Sequence, residues 1–223
     1  MITIFPAAGY CKRFGGSTPK YLLEINGVSI LDRLLEKVSG EKIVIVNREN
    51  KKYFKDYKDK ASIWQTEDSR GSLYNIWSCI NQFEIKNDIC IICCDLIFNF
   101  SLDGFLLEGR MLNEITIPIM KANKETMLNA GSVIFNKRKR VTDFCEHGYL
   151  SNSEYSELGI YFIPGRRLKL INRCAYLDSP GYLLEHVYKY TPIHVHIVKG
   201  MWFHINTKED YEEAKDAIAD TDL

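Results

Sequence analysis

Short apolar runs alternate with amphipathic stretches from the start of the chain through residue 95, and this alternation most narrows what the chain can fold into. Lys42–Val46 (KIVIV) is a continuous β-branched run, the mark of a strand covered on both faces. Asp88–Cys94 (DICIICC) is the most apolar of the set. Ile2–Phe5 and Ser62–Gln65 read as two further strands. Val28–Val38 (VSILDRLLEKV) and Ser72–Phe83 (SLYNIWSCINQF) carry apolar residues at helical spacing, and Asn50–Tyr57 reads as a short polar helix. Such an order implies an α/β fold: a parallel sheet with right-handed crossovers and helices on both faces. Ligands in these sheets bind beyond the carboxyl ends of the strands.

After residue 95 the pattern changes. Ile115–Lys121, Ser132–Phe135 and Gly159–Pro164 read as strands, and Lys137–Arg140 (KRKR) as the solvated turn of a hairpin. Arg166–Asn172 and Tyr182–Tyr188 look helical. Ile193–Val198 (IHVHIV) alternates, which puts His194 and His196 on one strand face. Two histidines at this spacing suit a metal, but the sequence offers no third ligand nearby, and an ordinary half-exposed face is the simpler expectation. Met201–Ile205 is a last strand. Thr207 opens a final helix with the capping signature T-K-E-D.

Composition limits the partners. Lys+Arg 29 balances Asp+Glu 29, so nothing draws the whole chain to a polyanion such as nucleic acid, and any anion site must be local. No apolar run approaches the roughly 18 residues that span a bilayer. The N-terminus lacks a basic segment followed by an apolar one. A cytoplasmic protein without a membrane partner is therefore expected. No large apolar stripe stands out as a dimer face. Seven cysteines is an odd number. Cys90 and Cys93 form C-x-x-C inside an apolar strand, where positions three apart point to opposite faces, so buried reduced thiols are expected.

The local anion site is expected at Ile2–Lys20 (ITIFPAAGYCKRFGGSTPK). There a strand runs into a small, glycine-bearing loop with Lys12, Arg13 and Lys20. Backbone N–H groups of such a loop point at oxyanions and the cations neutralise them. Asp95 lies at the carboxyl end of the Asp88–Cys94 strand, so both features face one crevice.

These residues carry a resemblance. Pro6–Lys20 is similar to the opening signature of the nucleotidyltransferases that make sugar nucleotides, A-A-G-x-G-x-R followed by P-K, through Ala7, Ala8, Gly9, Arg13, Pro19 and Lys20. Gln65 and Gly71-Ser72 resemble the family's glutamine and glycine-threonine, and Cys94–Phe98 resembles G-D-x-x-F. Val141–Glu146 and Gly159–Tyr161 look like V-x-x-F-x-E and G-I-Y-x-F, and Trp202–Asp210 (WFHINTKED) looks like W-x-D-I-x-T-x-E-D. The motifs fall in the family's order along the whole chain.

The resemblance implies a Rossmann-like, mostly parallel mixed sheet with a small inserted β-hairpin region for the acceptor. It implies one domain over 1–223, with a nucleotide-binding part at 1–110, an acceptor-binding part at 111–206 and a C-terminal helix at 207–223. It also implies a reaction: a phosphate monoester attacks the α-phosphorus of a nucleoside triphosphate and pyrophosphate leaves. Arg13 and Lys20 are then the catalytic cations. Ala7, Ala8, Gly9, Gln65, Gly71 and Ser72 bind nucleotide. Asp95 and His204 hold Mg²⁺, with Mn²⁺ as an alternative, and Glu146 and Gly159 bind the acceptor, with Lys139 or Arg140 standing in for the family lysine that His147 replaces. Three positions depart from the pattern: Cys11 replaces a glycine, His147 a lysine and His204 an aspartate. Imidazole suits Mn²⁺ better than Mg²⁺, and Asn206 offers a carbonyl oxygen instead. The expected acceptor is a sugar 1-phosphate. Two other readings stand beside it: a cytidylyltransferase acting on an alcohol phosphate such as phosphocholine or methylerythritol phosphate, and a degenerate domain that binds nucleotide without turnover.

Overall fold

The apolar runs become strands much as their composition requires. In the computed structural model, residues 1–9, 14, 18–67 and 70–219 are described. β1 (Ile2–Ala7) leads through a 3₁₀ turn (Lys20–Leu22) and a small hairpin, β2 (Glu24–Ile25) and β3 (Val28–Ser29), into α1 (Ile30–Glu36). The helix begins two residues later than its periodicity suggests because Ser29 caps it, its hydroxyl accepting the Asp32 N–H at 3.0 Å. β4 (Glu41–Val46), a 3₁₀ segment (Asn50–Tyr57), β5 (Ser62–Gln65), α2 (Ser72–Gln82) and β6 (Ile89–Ile92) follow.

Next come β7 (Leu96–Phe98), α3 (Asp103–Leu112), β8 (Ile115–Lys121), α4 (Lys124–Asn129), β9 (Gly131–Phe135) and β10 (Val141–Glu146). β11 (Tyr155–Glu157), β12 (Ile160–Ile163), α5 (Leu168–Cys174), α6 (Pro180–Val187), β13 (Ile193–Ile197), β14 (Trp202–His204) and α7 (Lys208–Ala219) complete the described chain.

One mixed sheet organises these elements, in the order β10-β9-β11-β8-β12-β6-β1-β4-β5, with β13 also pairing with β8. β5, β4, β1 and β6 are parallel neighbours. The other side of the sheet is different: β12, β11, β9 and β10 all join it antiparallel. The parallel character is thus concentrated in the first half of the chain. The expected hairpin is β9–β10, part of the main sheet rather than separate from it. Its turn at 136–140 is too short for a parallel crossover, so the strand must fold back.

Both faces of the central strands are covered, and alternate residues serve opposite layers. Phe5, Val44, Val46, Cys90 and Ile92 pack with α1, α3 and α7, while Ile4, Ile43, Ile45, Ile89 and Ile91 pack with α2, α5 and α6. Burial pushes the Cys79 and Cys90 thiols up to about 12, which keeps them protonated. Helix α3 has no clear signature in the sequence. It buries Phe105, Leu106 and Gly109 but leaves Leu107 59% and Met111 77% exposed, so apolar residues surround the helix and blur its period. Among the described residues no helix is long and apolar enough to cross a membrane.

Candidate active site

Because β1 and β6 are adjacent and parallel, their carboxyl ends open on the same edge of the sheet. The segments that follow them, around Pro6–Gly9 and Cys93–Leu96, line a cleft of about 270 Å³. Glu146 and His147 at the end of β10, Glu157 and Tyr161, the start of α6 and the Trp202–Asn206 segment line the remainder.

A charged cluster marks one part of this cleft. The Lys20 ammonium lies 2.7 Å from Asp95 Oδ2 and donates to the Ile205 carbonyl at 2.9 Å. His204 Nε2 lies 3.4 Å from the same Asp95 oxygen. Burial works against the Asp95 charge, but the neighbouring His204 and Lys20 cations overcome it and hold the carboxyl well below the usual range. Burial also lowers the His204 pKa, yet Asp95 outweighs it and leaves the imidazole above its ordinary value. Asp95 Oδ1 and His204 Nδ1 are buried without hydrogen-bond partners among the described residues.

The loop after β1 is fixed by polar side chains that its own sequence does not announce. The Tyr21 hydroxyl donates to the Ala7 carbonyl at 2.9 Å, Asn47 Nδ2 donates to the Ala8 carbonyl at 2.8 Å, and Asn50 Nδ2 donates to the Gly9 carbonyl at 3.2 Å. Asn50 Nδ2 also donates to the Tyr21 hydroxyl at 2.8 Å, and Asn47 Oδ1 accepts the Asn50 N–H at 2.7 Å. Three successive carbonyls are therefore turned toward the protein. Among the described residues nothing lies within 4 Å of where a Cβ at Gly9 would stand, and Gly9 lines the cleft. Arg13 and Cys11 lie outside the described residues.

Gly71 and Ser72 sit where α2 begins. Gly71 has φ +131°, and a Cβ there would lie 2.9 Å from the Asp178 carbonyl oxygen, so the tight approach of the α5–α6 connection requires glycine. The Ser72 hydroxyl donates to that carbonyl at 3.1 Å. Ser72 lines the cleft. Gln65 ends β5 on the same edge of the sheet, outside the cleft lining, and its Nε2 donates to Glu67 Oε1 at 2.8 Å.

The opposite wall is acidic. Glu146 is 8% exposed and Glu157 4%. Glu146 Oε1 accepts from the Ser179 hydroxyl at 2.9 Å, and His147 Nε2 lies 3.7 Å from it. Glu146 Oε2 has no partner among the described residues. It lies over Gly181, where a Cβ would come within 1.9 Å of it. Glu157 Oε2 accepts the Gly159 N–H at 2.7 Å, and the Tyr161 hydroxyl also hydrogen bonds to Glu157. Burial, reinforced by the neighbouring carboxyl, raises the Glu146 pKa; burial also raises that of Glu157. Sequence reasoning missed Glu157, which ends the short polar strand β11 (Tyr155–Glu157), and nothing local marks it. Ser179 was visible as the S-P start of a helix.

The structure thus brings Gly9, Lys20, Ser72, Asp95, Glu146, Gly159 and His204 to one cleft. It does not bring Lys139 there. Lys139 occupies the β9–β10 turn, at the other end of the hairpin from Glu146, with its ammonium 3.6 Å from Glu108 Oε1. The expectation that it binds the acceptor therefore has no geometric support. The hairpin places it there because Lys139 pairs its carbonyl with the Val195 N–H. Glu108 also bridges the two strand histidines, with His194 Nε2 at 3.0 Å and His196 Nδ1 at 2.5 Å. Among the described residues no group of three or more His, Cys, Asp or Glu side chains is placed to hold a metal.

A divalent cation nevertheless fits one atom of the cleft. Mg²⁺ is commonly held by one or two carboxylates and completed by substrate phosphates and water. Asp95 Oδ1 is a buried acceptor without a partner, which suits such a site. His204 suits it less, because its Nε2 already faces Asp95 Oδ2 at 3.4 Å.

Residues 3–110 match the family model of the MobA-like NTP transferase domain. A search of curated protein sequences returned no significant match. Among solved structures, the chain is similar to a Bacillus anthracis protein assigned as a glucose-1-phosphate thymidylyltransferase, in complex with a sucrose. The TM-score is 0.86 at 15% identity, over 100% of this chain and 97% of that one. It is also similar to a UDP-glucose pyrophosphorylase complexed with UDP-glucose, with TM-score 0.84 at 16% identity over 98% of each chain. HddC from Yersinia pseudotuberculosis gives 0.74 at 17% identity, over 97% of this chain and 99% of that one. At these identities the likeness shows the fold.

Proposed function

We propose that this chain, whose residues 3–110 are a MobA-like NTP transferase domain of the nucleotidyltransferase family, transfers a nucleotidyl group from a nucleoside triphosphate to a sugar 1-phosphate or similar phosphate monoester. The observation that carries this reading is the Lys20–Asp95–His204 cluster at the carboxyl ends of β1 and β6, with buried Glu146 lining the same cleft. The names of the structural neighbours, which concern glucose 1-phosphate and UDP-glucose, support a sugar acceptor.

In the reaction an oxygen of the acceptor phosphate bonds to the α-phosphorus, and the bond from that phosphorus to the pyrophosphate oxygen breaks. The protein positions the reactants and neutralises their charge. Lys20 supplies a cation already oriented by Asp95 and the Ile205 carbonyl. The resemblance assigns Arg13 to the departing pyrophosphate. The backbone at Ala7–Gly9 faces the triphosphate, and Gln65, Gly71 and Ser72 hold the nucleoside. Mg²⁺, when bound, adds charge neutralisation, and Asp95 Oδ1 is the atom that would hold it. Glu146 and the Gly159 segment receive the body of the acceptor.

Purified protein incubated with each of the four common triphosphates, Mg²⁺ or Mn²⁺ and a panel of sugar phosphates is expected to release pyrophosphate. No release with any acceptor, from protein shown to be folded, overturns the reading.

A further inference from the structure

The two buried carboxyls of the acceptor wall lack what the other acid of the cleft possesses. Asp95 has the Lys20 ammonium at 2.7 Å. Among the described residues no lysine or arginine forms an ion pair with Glu146 or Glu157; His147, at 3.7 Å, is the nearest basic group to Glu146. Both carboxyls flank Gly131, where a Cβ would lie 3.1 Å from Glu157 Cγ and 3.3 Å from Glu146 Oε2. A third acid stands behind them, since the Glu146 N–H donates to Glu185 Oε2 at 3.4 Å. Ser179, Gly159 and Tyr161 supply hydrogen bonds to these acids, but none supplies a positive charge.

A buried carboxylate oxygen without a partner is costly to leave unsatisfied. Glu146 Oε2 is such an atom, on a side chain more than nine-tenths buried that lines the cleft. A hydroxyl from a neutral ligand would give it one hydrogen bond and leave the charge. An ammonium would supply both the donor and the counter-ion. Tyr161 and Trp202 line the same cleft, and aromatic faces add attraction for a cationic nitrogen. The cleft is therefore polarised, with the Lys20 ammonium and His204 in one part and the Glu146–Glu157 acids in another. A zwitterion with phosphate at one end and ammonium at the other matches that pattern.

We propose that the Glu146–Glu157 pair recognises a positively charged nitrogen, so that the preferred acceptor is a phosphate monoester carrying an ammonium group. This rests on the nucleotidyltransferase reading above and narrows its substrate class. Amino sugars and amino alcohols share this chemistry. Burial disfavours the charged form of both carboxyls, and a bound ammonium would offset that cost.

The test is equilibrium binding by calorimetry, with and without a non-hydrolysable triphosphate analogue. Phosphoethanolamine is compared with propyl phosphate, and glucosamine 1-phosphate with glucose 1-phosphate. In at least one pair the ammonium member is expected to bind about tenfold tighter, and the pair that shows it separates amino alcohol from amino sugar. Glu157→Gln and Glu146→Gln, each checked for folding by circular dichroism, are expected to bring the members of that pair within about twofold. Equal or tighter binding of the neutral member in both pairs overturns the proposal. So does a preference that survives in both variants, or no binding of any ester. Pyrophosphate release is measured separately: its absence, with the ammonium preference intact, removes the catalytic reading and leaves the recognition site standing.

Discussion

The Lys20 ammonium lies 2.7 Å from Asp95 Oδ2, joining the segment after β1 to the end of β6, the most apolar strand of the sheet. Neither residue is free to act alone. Asp95 orients the cation and the cation sustains the charge of Asp95. Asp95→Ala and Lys20→Ala are each expected to lower kcat by about 10²–10³, the loss typical of removing one charge-stabilising group from a preorganised site. Pyrophosphate release from folded variants measures this. Wild-type turnover in either variant would remove the cluster from the mechanism.

The Asp95 carboxyl also makes a prediction about acid. Its folded pKa is depressed, so its contribution to stability is present above the unfolded value of about 3.9 and is lost as pH falls toward the folded one. Asp95→Asn should therefore weaken the protein at pH 6 and converge with the parent in strong acid. Denaturant midpoints across that range are the measurement.

The Glu146–Glu157 pair has the opposite sign. Both folded values are raised, so the native state binds more protons than the unfolded chain above about pH 4.3, and stability falls as pH rises through that window. Glu157→Gln removes one of the two like charges. Its thermal midpoint relative to the parent should be higher at pH 8 than at pH 5, by about 2–4 °C for each kcal/mol of repulsion relieved. An identical difference at both pH values would mean that the two carboxyls do not share a proton.

Asn50 is the hub of the bracket behind the loop after β1. Asn50→Ala frees the Tyr21 hydroxyl and the Gly9 carbonyl from one donor, at a cost of about 1–3 kcal/mol in stability. KM for the triphosphate is expected to rise more than kcat falls, because the change loosens the loop without touching reacting groups. In a double-mutant cycle with Tyr21→Phe the two effects should not add, since the side chains are bonded to each other.

Gly71→Ala combines a positive φ with a Cβ 2.9 Å from the Asp178 carbonyl. A loss of about 1–3 kcal/mol is expected, read from denaturant midpoints. The displaced α5–α6 connection should also weaken nucleotide binding through Ser72.

The parts of this protein that were legible from sequence are those where one physical requirement dominates. Lys42–Val46 had to be a doubly covered strand, and Ser62–Gln65 and Ile115–Lys121 coincide with β5 and β8. Lys20 and Asp95 were expected to face one crevice because segments at the carboxyl ends of such strands share an edge, and the family resemblance set His204 beside Asp95. What remained hidden depends on distant partners. The bracket of Asn47 and Asn50 acts on a loop far earlier in the chain, and nothing local marks it. Lys139 was expected at the acceptor as a substitute for the lysine that His147 replaces, but an antiparallel hairpin separates its turn from its strand ends by the full strand length. Helix α3 escaped notice because exposed Leu107 and Met111 mask its buried stripe.

The hydrogen bond from Lys20 to the Ile205 carbonyl has a bearing on how the protein is made. Translation delivers the first strands and Asp95 early, and a domain begins to fold from its N-terminal side as it emerges. Yet Lys20 cannot meet the Ile205 carbonyl, nor Asp95 meet His204, until the last strand has left the ribosome. A nascent chain halted after β12 would have its central parallel strands but lack these contacts. The Lys20–Asp95–His204 cluster is thus completed only in one late event, after the other residues of the cleft have been made.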